Sequence, residues 1–138
     1  MNIIIVYRVE NKYGIGPYKS YLCGAQEYLR CHNLSLDTHP PIWRDTGIYS
    51  DDYYCGFSNH QQLLDWFKSK LGMLHSHGFK VSSYAVPSTS VVLGKSGRQL
   101  AFIKDDATLV CRMNILSFVK MFRSYNSNVE VLAGQLQD

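Results

Sequence analysis

The chain has little charge, few prolines and no paired-cysteine spacing, and each shortage narrows what it can be. Charged side chains make up 18% of its 138 residues and the net charge is +3. Nucleic-acid binders usually gather Lys and Arg on one face, whereas here they are spread along the chain, so the balance permits a nucleotide, nucleic-acid or acidic partner without demanding one. The four cysteines, Cys23, Cys31, Cys55 and Cys111, lack CxxC spacing. With no signal-like segment before them, they read as reduced thiols of a cytosolic protein. No apolar run reaches membrane length, and there is no internal repeat or low-complexity segment.

What is present is a globular balance, 46% hydrophobic with ten tyrosines. The length suits one domain with its own core and is too short for two. Residues 1–138 therefore read as a single domain with a core over about 2–125 and a polar tail, about 126–138, expected to be flexible.

The best-signalled unit is Cys55-Gly56-Phe57-Ser58 with the helix and strand behind it. Ser58 is placed to cap a helix running to about Leu74, with the Gln61 side chain reaching back as a capping box. Leu63, Leu64, Phe67, Leu71 and Leu74 recur at three- and four-residue steps, while Asp65, Lys68 and Lys70 lie away from that stripe. Gly78 supplies a left-handed stop, and residues 79–86 alternate as a returning strand. A first strand over 2–10 carries the apolar run Ile3 to Val6, which predicts burial on both faces and a central place in a sheet. Further strands are expected over 53–57, 91–93, 98–103 and 108–111. Short and terminal helices are expected over 26–31 and 114–125, the second burying Ile115, Leu116, Phe118, Val119 and Phe122. The loop over 33–52, centred on His39-Pro40-Pro41-Ile42-Trp43-Arg44-Asp45, is long enough to act as a lid.

Several features invite chemistry. Arg8 follows an apolar run, where it either faces water at a strand end or clamps an anion. Gly14-Ile15-Gly16 lacks the third glycine of a dinucleotide fingerprint, and Gly94-Lys95-Ser96 lacks the earlier glycine of a P-loop, with a strand expected after it. Five histidines and the Cys31-His32 and His75-x-His77 neighbours lack the paired spacing of zinc sites. Cys55 or Cys23 with a histidine would make a nucleophile pair, but an apolar-flanked thiol is usually core. The tyrosines beside Asp51 and Asp52 suit a cleft wall and a plain core alike.

The order of features resembles a family of small bacteriophage and prophage proteins. The residues that carry this are Tyr7-Arg8-Val9-Glu10, Gly14-x-Gly16-Pro17-Tyr18, His39-Pro40 with Asp45, Cys55-Gly56-Phe57-Ser58, Gln62-Leu63, Trp66-Phe67, Gly78-Phe79, Tyr84-x-Val86 and Gln99-x-x-Phe102. They span about residues 5 to 107. More distantly, the layout resembles the ADP-ribosyltransferase fold. That resemblance implies an α+β domain with a mostly antiparallel split sheet, a cleft lined by the glycine loop, the His39 loop and the late hairpin, and NAD as the ligand. Carried over by position, Arg8 would contact the phosphates or ribose, Ser58 the nicotinamide ribose region, and Gln99 would stand where the fold has a glutamate. Tyr7, Gly16, Tyr18, His39, Asp45 and Tyr84 are expected around the ligand. An uncharged amide bonds a ribose hydroxyl but does not stabilise an oxocarbenium-like transition state. Either Glu10, Asp45 or Asp105 supplies the missing charge, or the fold serves binding alone. The implied partners are a nucleotide or a host bacterial protein in the host cytoplasm. The implied activity is ADP-ribosyl transfer to a host target or, alternatively, non-enzymatic inhibition of a host defence system.

Overall fold

A computed structural model describes residues 2–17 and 39–123. The helix expected over 26–31, Tyr18, Cys23, Cys31, His32 and the expected tail lie outside the described residues. In chain order the elements are β1 (Ile3–Glu10), α1 (Ile42–Thr46), β2 (Tyr53–Gly56), α2 (His60–Phe67), α3 (Leu71–Ser76), β3 (Lys80–Pro87), β4 (Val91–Leu93), β5 (Leu100–Ile103) and β6 (Thr108–Asn114). A last helix, α4, covers residues 115–123.

The strands form two small antiparallel sheets, ordered β1-β3-β6 and β2-β5-β4. They join where Tyr7 and Phe57 exchange both backbone hydrogen bonds at 2.8 Å. This is the expected α+β architecture with a split antiparallel sheet. Gly56 allows the join, because a Cβ there would come within 2.5 Å of the Val6 side chain and 3.2 Å of the Tyr7 carbonyl oxygen.

Contrary to expectation, the centre of the first sheet is β3, not β1. Ile3 and Ile5 are 56% and 40% exposed, since a three-stranded sheet leaves part of an outer strand uncovered even where its sequence is continuously apolar. From Val6 onward β1 divides its side chains by alternation. Val9 joins the helical core with Phe57, Leu63, Trp66, Phe67, Leu74, Phe79, Val81, Ile115 and Phe118. Val6 joins a second cluster with Tyr84, Val86, Leu100 and Phe102.

The central helix is capped one residue later than expected. Asn59, not Ser58, accepts from the Gln62 N–H at 2.9 Å, and the Gln62 side chain, not that of Gln61, reaches back to the Ser58 N–H at 2.9 Å. Gln61 instead donates to Asp65 at 2.6 Å. The helix is also interrupted: Lys68 takes a φ of 46° and a short 3-10 turn separates α2 from α3. No glycine or proline signals that break. The apolar stripe survives it, because Leu63, Phe67 and Leu74 still converge on one core.

The return to β3 is a full helix-ending motif. Phe79 N–H donates to the Leu74 carbonyl and Gly78 N–H to that of His75, both at 3.1 Å, while Leu74 and Phe79 pack in the same cluster. In α4, Ile115 and Phe118 are buried but Leu116 is 51% exposed, so Leu116 leaves the expected apolar face. Among the described residues, no helix is long and apolar enough to cross a membrane.

Gly78 has a φ of 84° with open space around a built Cβ. Gly78→Ala is therefore expected to destabilise the fold by about 1 kcal/mol through backbone strain alone, read as a lower urea midpoint with an unaltered slope. A variant as stable as the parent would show that the turn is not constrained.

Candidate functional site

At the end of β1, alternation puts Arg8 and Glu10 on one face, and both are buried. Glu10 is fully enclosed and accepts from Arg8 Nε at 3.1 Å, Lys104 Nζ at 3.2 Å and Arg112 Nη2 at 3.1 Å. The Tyr84 hydroxyl donates to it as well, at 2.6 Å to Oε2. Burial works against the charged carboxylate, but the Tyr84 hydrogen bond and the charges of Lys104 and Arg8 outweigh it and hold Glu10 below its ordinary range. Burial first, then the Glu10 carboxylate, push the Tyr84 phenol up to about 12, so it remains a donor.

Arg112 reaches this face because of a register shift. Ser83 pairs with Cys111 but Tyr84 pairs with Leu109, leaving Val110 as an extra residue in β6. Such a bulge re-aims the side chains beyond it. Arg112 thereby stands beside Ser82, donates to its Oγ at 2.9 Å, and turns to Glu10. Three cations share one carboxylate, which leaves the cluster positive.

A cavity of about 600 Å³ opens beside the cluster, within the range of small-ligand sites. Arg8, Lys104 and the aromatic rings of Tyr13, Trp43, Tyr53, Tyr54, Phe57, Trp66 and Phe67 are among its lining groups. Both Arg8 and Lys104 lie over the Tyr54 ring, at 5.0 and 5.2 Å from its centroid. The glycine loop packs directly on these cations. A Cβ on Gly16 would stand 3.0 Å from Arg8 Nη2, and one on Gly14 2.7 Å from Lys104 Nζ. The two glycines thus serve a close approach of backbone to cations.

The residues expected to act together are partly separated. Arg8 and Gln99 both line the cavity, and Ser58 is not among its lining residues. The Ser58 hydroxyl instead donates to Gln62 at 2.8 Å. Arg8 is not a strand-end residue facing open water: it is buried on the cavity wall and, besides Glu10, its Nη1 donates to the Cys55 carbonyl at 2.8 Å. Gln99 is engaged at both ends. Its Nε2 donates to the Pro40 carbonyl at 2.6 Å and to Asp45 at 3.3 Å, and its Oε1 accepts from the Cys55 thiol at 3.2 Å. Burial pushes that thiol up to about 11 despite the nearby Arg8, so Cys55 is poorly suited as a nucleophile.

Of the residues expected around the ligand, Gly16 lines the cavity, while Tyr7, His39, Asp45 and Tyr84 do not. His39 lies edge-on to Trp66 with its Nε2 2.6 Å from the Trp66 carbonyl oxygen. Burial, then the charges of Lys70, Arg98 and Lys68, keep it below the ordinary histidine range against the pull of that hydrogen bond. Asp45 is buried and binds Ser96 through its N–H and hydroxyl, both at 2.7 Å. Within the described part of the loop expected as a lid, 39–52, Asp45 is therefore pinned to the turn after β4. Asp105, the third candidate for a missing charge, is exposed in a 3-10 turn. The glycine loop, the His39 loop through Pro41, Ile42 and Trp43, and the late hairpin through Gln99 all contribute to the cavity wall, with Lys104 just past β5.

Sequence reading missed Lys104 and Arg112 and gave Trp43 no role of its own, whereas Tyr53 and Tyr54 line the cavity as the cleft-wall alternative for those tyrosines had it. Lys104 sits in an apparent turn and Arg112 beyond the expected end of its strand, so neither carried a signal. Trp43 did carry one, as a tryptophan in a loop rich in proline and polar residues. Among the described residues, no group of three or more His, Cys, Asp or Glu is placed to hold a metal ion.

The family model described as Bacteriophage T4 Y00F protein matches residues 1–116. The chain belongs to this bacteriophage family. The match includes the whole Arg8–Glu10–Tyr84–Lys104–Arg112 cluster and every described residue of the cavity wall. No curated protein and no solved structure matches the chain.

Because Glu10 titrates below its ordinary value in the folded protein, its contribution is complete above about pH 4.5 and is lost as pH falls through the lowered value. Glu10→Gln removes that pH dependence and leaves three cations facing one another. At pH 7 the variant is expected to lose about 3 kcal/mol or more, and its stability should fall less steeply than the parent's below pH 4.5. Urea titrations at pH 7 and through the acid range check both; parallel acid slopes would show that Glu10 is not the titrating group.

Proposed function

We propose that the chain binds a nucleotide in this cleft, NAD or a relative such as ADP-ribose, inside the infected bacterial cell. The observation that carries this reading is the pairing of Arg8 and Lys104, two members of a positively charged cluster, with an aromatic cavity wall. Phosphate complements the excess charge, and the rings suit a flat base. The split antiparallel sheet and Arg8 on the cavity wall are compatible with the distant ADP-ribosyltransferase resemblance.

Transfer to a host target is the less supported half of that resemblance. Gln99 has its amide and its carbonyl bonded within the protein, and Glu10 is sealed among cations and fully enclosed. Among the described residues no carboxylate lines the cavity, and cations and rings alone favour holding a nucleotide over turning it over. This arrangement favours a second reading of the same cleft, a non-enzymatic inhibitor of host defence that sequesters a signalling nucleotide.

Thermal unfolding with NAD, ADP-ribose and a panel of cyclic nucleotides tests the reading. A ligand at a hundred times its Kd should stabilise the fold by about 2.7 kcal/mol. Lys104→Gln should weaken that ligand at least tenfold, because a charge-assisted hydrogen bond is lost. A shift with NAD or ADP-ribose supports the transferase-like cleft, and a shift with a cyclic nucleotide alone supports sequestration. No shift with any of them overturns nucleotide binding.

A further inference from the structure

Trp43 is expensive to keep where it is. It is 48% exposed at the cavity mouth, belongs to neither core cluster, and sits on a helix of five residues, too short to hold itself together in water. What holds α1 is a buried polar network. Gln99 grips the Pro40 carbonyl just before the helix, and Ser96 and Gln99 grip Asp45 within it. The Lys95 N–H adds a bond to the Asp45 carbonyl at 2.9 Å. Such connected polar networks fix a geometry more than they add stability.

The indole is also backed. Tyr49 stacks on it with centroids 6.1 Å apart and planes 26° from parallel, yet Tyr49 is itself 80% exposed and is not among the cavity's lining residues. A ring that lines a cavity, is supported by a second ring, and is pinned through buried hydrogen bonds is preorganised to stack a flat group.

We infer that Trp43 is the stacking platform for the planar ring of the ligand, so that the cleft selects nucleotides and not phosphates alone. This rests on the nucleotide reading above and adds to it the element that reads the base. Asp45 and Gln99 then act on the ligand only through α1.

The test is binding of ADP-ribose and of pyrophosphate, monitored by tryptophan emission and by calorimetry. Trp66 also lines the cavity although it is 7% exposed, so the part of the emission response that Trp43→Phe abolishes is the part that belongs to Trp43. ADP-ribose is expected to quench it and pyrophosphate to leave it unaltered. Trp43→Leu is expected to weaken ADP-ribose at least tenfold, Trp43→Phe to recover most of that loss, and neither to alter pyrophosphate binding more than about twofold. Parent-like affinity of Trp43→Leu for ADP-ribose, with the parent protein binding it, overturns the platform and leaves the nucleotide reading standing. If the parent binds a cyclic nucleotide alone, the same comparison of variants is made with that ligand; if it binds none of these nucleotides, the nucleotide reading falls and the platform with it.

Discussion

One enclosed carboxylate ties the two halves of this molecule together. Glu10 reaches from β1 to Tyr84 on β3, Arg112 on β6 and Lys104 just past β5, and Lys104 succeeds a strand of the second sheet. A lone buried carboxylate would shed its charge by taking up a proton. Here the surrounding donors keep it ionised, and each strand that supplies one is thereby fixed in place. The backbone bridge at Tyr7 and Phe57 aligns the sheets; the cluster locks them.

The same balance of charge shapes the cleft. Three cations around one carboxylate cannot be neutralised by it, and two of them, Arg8 and Lys104, stand on the cavity wall. In the proposed reading, stability and ligand recognition therefore draw on the same groups. The cluster is strong enough to hold its cations without a ligand, yet remains attractive to an anion. The glycine loop keeps those cations close to backbone rather than to side chains.

Local signals in the sequence are legible, and distant ones are not. Helix capping, the Leu63–Phe67–Leu74 stripe, the stop at Gly78 and the β4–β5 hairpin each depend on residues a few positions apart, and each lies within a residue or two of its expected place. Ile3 and Ile5 mislead because an apolar run reports what a strand tolerates, not how many neighbours it has. Arg8 and Glu10 are legible as one face of a strand by their spacing of two. Their partners are not, since Lys104 and Arg112 lie 94 and 102 positions from Glu10 and Arg112 depends on a bulge at Val110 that no glycine announces.

Gln99 illustrates how position alone can mislead about chemistry. It stands on the cavity wall, where a fold-level resemblance would give it a role on the ligand, but its bonds to Pro40, Asp45 and Cys55 all run into the protein. Freeing its amide for a ribose hydroxyl would strand the Pro40 carbonyl and loosen α1, at a cost comparable to what the new bond returns. The resulting division of labour is physical. In the proposed reading, groups with excess charge or open faces, Arg8, Lys104 and the exposed rings, meet what enters the cleft, while groups whose hydrogen bonds are satisfied within the protein hold those faces still.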